Sequence, residues 1–281
     1  MAHRKKVLIV LCCLAACATR SASREQAPTP VVAAPPIARD PSAVATVPAA
    51  SSMTSAPIAE PLRPTEPFTL RDEQGRPIEV YPPTVPTTAM VVVLHATCMQ
   101  PSSVCDAFGP VGRDVGWLVC PSGNTTCNGE PDWHGPGAAK AAFLDRAVAH
   151  VENALPSFVD DRPGVLVGWS RGAFAARDIV YATVDQPTLT SLGGRFRGLV
   201  LIAAQVTPDP EKVRAAGISR VVMAVGEQDG ARSTMVSAVA LLKKHGVEAR
   251  FVSLGKIGHT WPSDFEARMR EPIAWAGGVD P

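Results

Sequence analysis

The chain has 281 residues, of which 46% are hydrophobic and 19% charged, so it can bury a sizeable core in one or two domains. The formal net charge is only +1, and Lys and Arg form no run outside the N-terminus. The small net charge excludes nucleic acid as a partner. The length and composition fit one folded domain with a tail.

The first residues have the pattern of an export signal. Residues 3–6 are basic, and residues 7–16 form an apolar stretch that is too short to span a bilayer as a helix. The end of this stretch, LAAC, closes with Cys17 and resembles the lipobox of bacterial lipoproteins. That resemblance implies removal of residues 1–16 and a lipid on Cys17, which anchors an exported protein to a bacterial membrane, on the periplasmic face or the cell surface. The alternative is an ordinary secretory peptide that is cut at a small residue nearby.

Residues 17–67 have the composition of a disordered tether. They are rich in Pro, Ala, Ser and Thr, and no aromatic residue occurs among them. Such a segment cannot bury enough apolar area to offset the entropy of ordering. We therefore expect it to carry the lipidated cysteine at its start and to hold a folded domain, residues 68–281, clear of the membrane.

The folded part begins with a predicted hairpin, in which residues 68–71 and 77–81 flank the turn sequence DEQGR. Six short apolar runs follow, as expected for parallel strands buried on both faces. These runs are residues 90–94, 117–120, 165–167, 199–203, 221–225 and 250–254. Helices are predicted at residues 138–155, 172–181, 231–245 and 262–274. The alternation predicts an α/β fold with a mostly parallel, eight-stranded sheet and helices on both faces.

Four cysteines remain once the signal and the lipidation site are set aside, namely Cys98, Cys105, Cys120 and Cys127. An exported domain in an oxidising compartment favours disulfides. Three connectivities are possible, and the simplest pairs near neighbours, Cys98 with Cys105 and Cys120 with Cys127. A four-thiolate zinc site is the competing interpretation, although neither pair has the short spacing of structural zinc sites.

The strongest chemical signal is the sequence GWSRG at residues 168–172, which matches G-x-S-x-G between a predicted strand and a predicted helix. A serine can be held on such a sharp turn only when small neighbours let the backbones pass. The helix N-terminus behind it also favours developing negative charge. We predict that Ser170 is a nucleophile, with a purely structural turn as the alternative.

A serine hydroxyl needs a base that a third group orients, in the chain order Ser, Asp, His. Asp229 follows the strand at 221–225, and His259 follows the last strand, so both are expected at the carboxyl edge of the sheet. The predicted triad is Ser170, Asp229 and His259. Asp209 and Glu227 are rivals for the carboxylate.

Two backbone N–H groups are expected to bind the oxyanion of the tetrahedral intermediate. One belongs to Arg171, directly after the nucleophile. The other belongs to the loop HATCMQ, residues 95–100, which resembles the His-Gly motif that ends this strand in many esterases and lipases. The matching donor is Thr97, with Cys98 as an alternative because Ala96 replaces the glycine, and His95 is expected to brace the loop.

Residues 66–281 resemble the α/β-hydrolase fold, and most of all its small members without a cap domain, such as dienelactone-hydrolase-like, carboxylesterase-like, polyhydroxybutyrate-depolymerase-like and feruloyl-esterase-like proteins. The resemblance implies hydrolysis of a carboxylic ester through an acyl-Ser170 intermediate, with His259 as general base and then acid and Asp229 holding its tautomer. It implies no cofactor and no metal, and a monomer is expected. An amidase or peptidase of the same fold and a catalytically silent, surface-binding lipoprotein are the alternatives.

The expected site is open, because about sixteen residues between the sixth and seventh strands leave no room for a large cap domain. Cover would have to come from residues 120–137, where Trp133 and His134 are candidates to line a pocket. Trp169 and Trp261 flank catalytic positions. We predict substrate contacts for all three tryptophans, with packing as the alternative for each.

Overall fold

The computed structural model describes residues 63–160, 163–186, 188–189 and 191–279. The predicted signal, Cys17 and the predicted tether up to residue 62 lie outside the described residues. Arg63 lies against the domain, because its guanidinium donates to the carbonyl of Thr87 at 3.1 Å and lies 5.5 Å from the ring centroid of Trp117. No helix in the described ranges is long and apolar enough to cross a bilayer.

The described residues contain ten strands: β1 (Phe68–Arg71), β2 (Pro77–Tyr81), β3 (Met90–Leu94), β4 (Trp117–Pro121), β5 (Thr125–Cys127), β6 (Glu130–Asp132), β7 (Gly164–Trp169), β8 (Phe196–Ile202), β9 (Arg220–Val225) and β10 (Glu248–Ser253). Eight form one sheet in the order β1-β2-β4-β3-β7-β8-β9-β10, while β5 and β6 form a separate hairpin. β2 is antiparallel to both of its neighbours, and the remaining pairs of the large sheet are parallel. The predicted N-terminal hairpin and mostly parallel sheet are confirmed.

The strands contribute side chains to two hydrophobic cores, one on each face of the sheet. In β3, Met90, Val92 and Leu94 belong to one core, whereas Val91 and Val93 belong to the other. Side chains alternate between the faces of a strand, so a strand covered on both sides has to be apolar at every position. This requirement explains the continuous apolar runs.

Six helices cover the sheet within the described residues: α1 (Pro101–Gly112), α2 (Gly137–Ala154), α3 (Arg171–Asp185), α4 (Pro210–Ala215), α5 (Arg232–Lys244) and α6 (Phe265–Ala276). α1 and α6 pack on one face, and α2, α3 and α5 pack on the other. Between β8 and β9 the chain forms only the short helix α4. The α/β class, with helices on both faces and no large cap domain, is confirmed.

The four cysteines of the domain form two disulfides, Cys98 with Cys127 and Cys105 with Cys120. The simplest pairing of near neighbours is therefore wrong. Helix α1 packs directly on β4, and this contact brings Cys105 to Cys120 with a Cα–Cα distance of 5.8 Å. Because every sulfur is bonded to another, these cysteines do not supply thiolates to a zinc ion.

Candidate active site

The serine at the centre of the G-x-S-x-G sequence lies between β7 and α3, at the carboxyl edge of the sheet. Ser170 has φ +53° and ψ −114°, and its N–H donates to the carbonyl of Ile202 at 2.8 Å. A positive φ is costly for a residue with a Cβ, and such conformations persist where the surrounding structure holds them. The packing of the elbow therefore presents the hydroxyl in a fixed direction.

The two glycines of this sequence are required by close backbone contacts. A Cβ on Gly168 would lie 2.3 Å from the carbonyl oxygen of Gly172, and a Cβ on Gly172 would lie 2.1 Å from that of Leu94. Both contacts are with backbone, which cannot swing aside as a flexible side chain can. The spacing G-x-S-x-G thus follows from the approach of α3 to β7 and to the end of β3.

We expect Ser170→Gly to be more stable than Ser170→Ala by about 1 kcal/mol, because glycine adopts a positive φ without strain although its unfolded chain has more entropy to lose. Neither variant has the hydroxyl, so the comparison isolates the backbone. For a domain of this size the difference corresponds to a rise in Tm of about 2–4 °C. Thermal unfolding followed by circular dichroism measures it, and an equal or lower Tm for the glycine variant would contradict strain at the elbow.

The loops after β9 and β10 are joined by backbone hydrogen bonds. The N–H of Glu227 donates to the carbonyl of Gly255 at 2.8 Å, and the N–H of Gln228 donates to that of Ile257 at 3.0 Å. Gly226 permits this approach, because a Cβ there would lie 2.2 Å from the Ile257 carbonyl oxygen. The pairing places Asp229 on one loop beside His259 on the other.

Ser170, His259 and Asp229 are connected by two hydrogen bonds. The His259 Nε2 lies 2.9 Å from the Ser170 Oγ, and the His259 Nδ1 lies 2.8 Å from the Asp229 Oδ2. The other carboxylate oxygen of Asp229 accepts from the N–H of Ala231 at 2.8 Å. A carboxylate can only accept, so Nδ1 carries the imidazole proton and Nε2 is free to accept from the hydroxyl. The structure brings the three residues together in the order that proton transfer from the serine requires.

The rival carboxylates have other partners. Asp209 is the N-cap of α4, where its Oδ1 accepts from the N–H groups of Glu211 and Lys212. Glu227 accepts from the hydroxyl of Ser253 at 3.0 Å. Neither is bonded to His259, so Asp229 is the carboxylate that orients this imidazole.

One predicted oxyanion donor belongs to the elbow itself, and the other belongs to a loop that begins beside it. Arg171 is the first residue of α3, and its N–H donates to no acceptor within the described ranges, as expected at the first turn of a helix. Thr97 is exposed on the loop after β3, and Cys98 beside it has φ +49°. Leu94 pairs with Gly168 across the sheet, so this loop begins next to the elbow. Their role in binding an oxyanion stays a prediction.

Trp133 is a core residue, which corrects the expectation that it contacts substrate. Its side chain has 0% exposure and packs 5.6 Å from the ring of His95 and 5.7 Å from that of Phe143, measured between centroids. Such complete burial leaves no surface for a ligand. His134, the next residue, is exposed.

Trp169 and Trp261 form an aromatic stack beside the predicted base. Their ring centroids are 3.8 Å apart, and the Trp169 ring lies 5.5 Å from that of His259. Trp169 is 3% exposed, whereas Trp261 retains part of its surface. Trp169 therefore packs beside the imidazole, and Trp261 is the member of the pair that is accessible to a substrate.

His95 is buried and makes a local hydrogen bond. Its Nδ1 donates to the carbonyl of Ala96 at 2.7 Å, and burial lowers the pKa of its imidazole. A neutral ring in contact with the core is consistent with the predicted bracing of the loop. Across the described residues no group of three or more His, Cys, Asp or Glu side chains is arranged to hold a metal ion.

The site is open to solvent. The side chain of His259 is 52% exposed, and Thr260 and Gln228 next to the triad are exposed as well. The sequence patterns did not reveal the hairpin of β5 and β6, which is bonded to the loop after β3. The signal for this contact was the pair Cys98 and Cys127, but the sequence allowed three connectivities and the near-neighbour pairing was the simplest of them.

The fold resembles solved esterase structures. A Bacillus cereus carboxylesterase matches with a TM-score of 0.55 and 14% identity over 74% of this chain and 96% of its own. A Mesorhizobium loti carboxylesterase matches with a TM-score of 0.55 and 17% identity over 74% and 99%, and an arylesterase with 0.56 and 11% over 79% and 87%. Neither models of protein families nor curated proteins match the sequence. Structural similarity at identities this low shows the fold alone, and the chain has the α/β-hydrolase fold.

Proposed function

We propose that the protein is a serine hydrolase of carboxylic esters that acts through an acyl-Ser170 intermediate. The observation that carries the proposal is the chain of hydrogen bonds from the Ser170 Oγ to the His259 Nε2 and from the His259 Nδ1 to Asp229. We further propose that the lipobox-like segment directs export and lipid attachment at Cys17, so that the enzyme works on the outer side of a bacterial membrane.

In the acylation half-reaction His259 takes the hydroxyl proton through Nε2 while the Ser170 Oγ attacks the ester carbonyl. The carbonyl oxygen becomes an oxyanion, which accepts hydrogen bonds from the backbone N–H groups of Arg171 and Thr97. Collapse of this intermediate breaks the bond to the alcohol, and the alcohol oxygen receives the proton from His259.

In the deacylation half-reaction water attacks the acyl-enzyme and gives its proton to His259. The second tetrahedral intermediate releases the carboxylic acid, and the proton returns to the Ser170 Oγ. Asp229 keeps Nδ1 protonated in both halves and stabilises the imidazolium that forms in each.

Ester hydrolysis is favoured over the alternatives by two observations. The solved structures that share the fold include a carboxylesterase and an arylesterase, and all three residues of the triad are present and hydrogen-bonded. A silent binding lipoprotein has no need of that arrangement. An amidase or peptidase would use the same triad, so substrate preference has to be measured.

The test uses the full chain, produced in a bacterium and purified in detergent. We expect hydrolysis of short-chain p-nitrophenyl esters and covalent labelling by a fluorophosphonate at one peptide, which mass spectrometry assigns to Ser170. Partition of the labelled protein into a detergent phase supports the lipid. Folded protein that takes up no label would instead favour the binding module, and faster cleavage of peptide substrates than of esters would favour a peptidase.

A further inference from the structure

The loop after β3, residues 95–100, packs against the elbow at its beginning. A Cβ on Gly172 would lie 2.7 Å from the carbonyl oxygen of His95, so the first residue of the loop packs against the start of α3. Thr97, the predicted oxyanion donor, lies further along and is exposed. Its position depends on what holds the outer part of the loop.

Three consecutive residues of the loop are bonded to the hairpin of β5 and β6. Cys98 forms the disulfide with Cys127, with a Cα–Cα distance of 5.2 Å. The N–H of Met99 donates to the carbonyl of Pro131 at 3.2 Å. The side-chain amide of Gln100 donates to the carboxylate of Glu130. A disulfide, a backbone hydrogen bond and a side-chain hydrogen bond thus converge on one small hairpin.

The base of the hairpin is itself held firmly. The side chain of Asn124 accepts from the N–H of His134 at 3.1 Å and donates to its carbonyl at 2.8 Å. A Cβ on Gly123 would lie 1.9 Å from the carbonyl oxygen of Asp132, so the two ends of the hairpin are in direct backbone contact. Trp133 then anchors the outgoing chain in the core. The hairpin is therefore a rigid support and not a free flap.

The second disulfide provides a contrast. Cys105 and Cys120 are both fully buried and connect α1 to β4, two elements that already pack against each other. Neither of its cysteines belongs to the loop of residues 95–100 or to the hairpin of β5 and β6. The two disulfides have sequence separations of 29 and 15 residues. Because loop-closure entropy grows only with the logarithm of loop length, this roughly twofold ratio makes little difference to their contributions to stability.

We propose that the hairpin of β5 and β6 positions the oxyanion donor of Thr97, and that Cys98 and Cys127 are positioning residues for catalysis. The inference rests on the proposed ester hydrolysis. An oxyanion-hole donor acts only within about 2.7–3.1 Å of the developing oxyanion, and loss of one donor costs on the order of 10²–10³ in kcat. Displacement of the Thr97 N–H is therefore expected to lower kcat by part of this 10²- to 10³-fold factor. We expect the loss in kcat because the negative charge develops in the transition state that leads to the tetrahedral intermediate and is absent from the bound ester.

The test compares two double variants of the full chain. We expect Cys98→Ala with Cys127→Ala to lower kcat for a p-nitrophenyl ester by about 10- to 100-fold while KM changes less than about 3-fold. The control, Cys105→Ala with Cys120→Ala, is expected to lower Tm by a comparable amount and to leave kcat of the folded enzyme within about 2-fold. Equal losses of kcat in the two variants, or none in the first, would overturn the proposal.

A second pair of variants serves if the first double variant fails to fold. Gln100→Met keeps the length of the side chain but removes its hydrogen bond to Glu130, and we expect kcat to fall by about 3- to 10-fold at unchanged KM. Glu130→Gln retains an acceptor oxygen and is expected to keep kcat near that of the wild type. An unchanged kcat in Gln100→Met, measured on folded protein, speaks against the proposal.

Failure of the inference and failure of the proposed function give different results. If the wild-type protein is not labelled at Ser170 and does not hydrolyse esters, the proposed function itself is wrong. If the wild-type protein is labelled and active and both disulfide variants are equally active, only the positioning role of the hairpin is wrong.

Discussion

Replacing Ser170 with alanine is expected to lower kcat for a p-nitrophenyl ester by about 10⁵- to 10⁶-fold, which corresponds to about 7–8 kcal/mol in activation free energy. The reason is that the acyl-enzyme cannot form without the Oγ, and neither His259 nor Asp229 can compensate because both act through this atom. A small rate above that of water should persist, since the oxyanion donors and substrate binding are retained. Steady-state kinetics measures the effect, with active sites of the wild type counted by fluorophosphonate titration and the variant, which has no Oγ to label, quantified as total folded protein.

The control for Ser170→Ala is its folding. The far-ultraviolet circular dichroism spectrum should match that of the wild type, and Tm should agree to within a few degrees. Alanine keeps the Cβ of Ser170, and the hydrogen bond that is lost joins the Ser170 hydroxyl to an imidazole that is exposed to water. A folded variant that retains more than about 1% of the wild-type kcat would identify another residue as the nucleophile.

The central sheet could be predicted because burial on both faces leaves a simple pattern. Strands such as β3 have no polar position, so their apolar runs are continuous and bounded by turn residues. The long helix α2 could be predicted equally well, because its buried positions recur every three or four residues. Where burial alone decides which residues are allowed, the pattern of apolar residues predicts the element.

Helix α1 was not predicted, because its local signals oppose its structure. It contains Pro110 and two glycines, all of which disfavour a helix interior. Its apolar face, which includes Val104 and Phe108, packs on the sheet and on α6. Tertiary packing outweighs the local propensity here, and a sequence pattern of twelve residues does not reveal it.

The disulfide pairing and the burial of Trp133 share a different cause. Both depend on where the hairpin of β5 and β6 lies, and each of these strands has only three residues without apolar alternation. Once the hairpin packs beside the loop after β3, Cys127 meets Cys98 and Trp133 enters the core. No spacing rule in the chain encodes that placement.

The elbow could be predicted because its glycines, its strand and its helix are contiguous in sequence. Asp229 and His259 are separated from Ser170 by many residues, and only the order of the strands in the sheet brings their loops to one edge. Chain order and strand position sufficed to select them from several candidates. The hydrogen bonds of Asp209 and Glu227 then separate the rivals from the residue that contacts His259.

Asp229→Asn is expected to lower kcat by about 10⁴-fold although it is nearly isosteric. In the wild type both carboxylate oxygens accept hydrogen bonds, one from the His259 Nδ1 and one from the N–H of Ala231. An amide has one acceptor and one donor group. If its oxygen keeps the bond to Ala231, its NH₂ group faces Nδ1 and favours the tautomer with a proton on Nε2, which can no longer accept from Ser170.

The opposite orientation of the amide is also unfavourable, because its NH₂ group would then face the N–H of Ala231. Kinetics of ester hydrolysis measures the loss, and the rate of fluorophosphonate labelling should fall with it because activation of the Ser170 hydroxyl is impaired. Asp209→Asn is the matched control, since asparagine is as good an N-cap as aspartate and kcat should stay within about 2-fold. An Asp229→Asn variant with a kcat within about 10-fold of the wild type would show that the carboxylate does not orient His259 for catalysis.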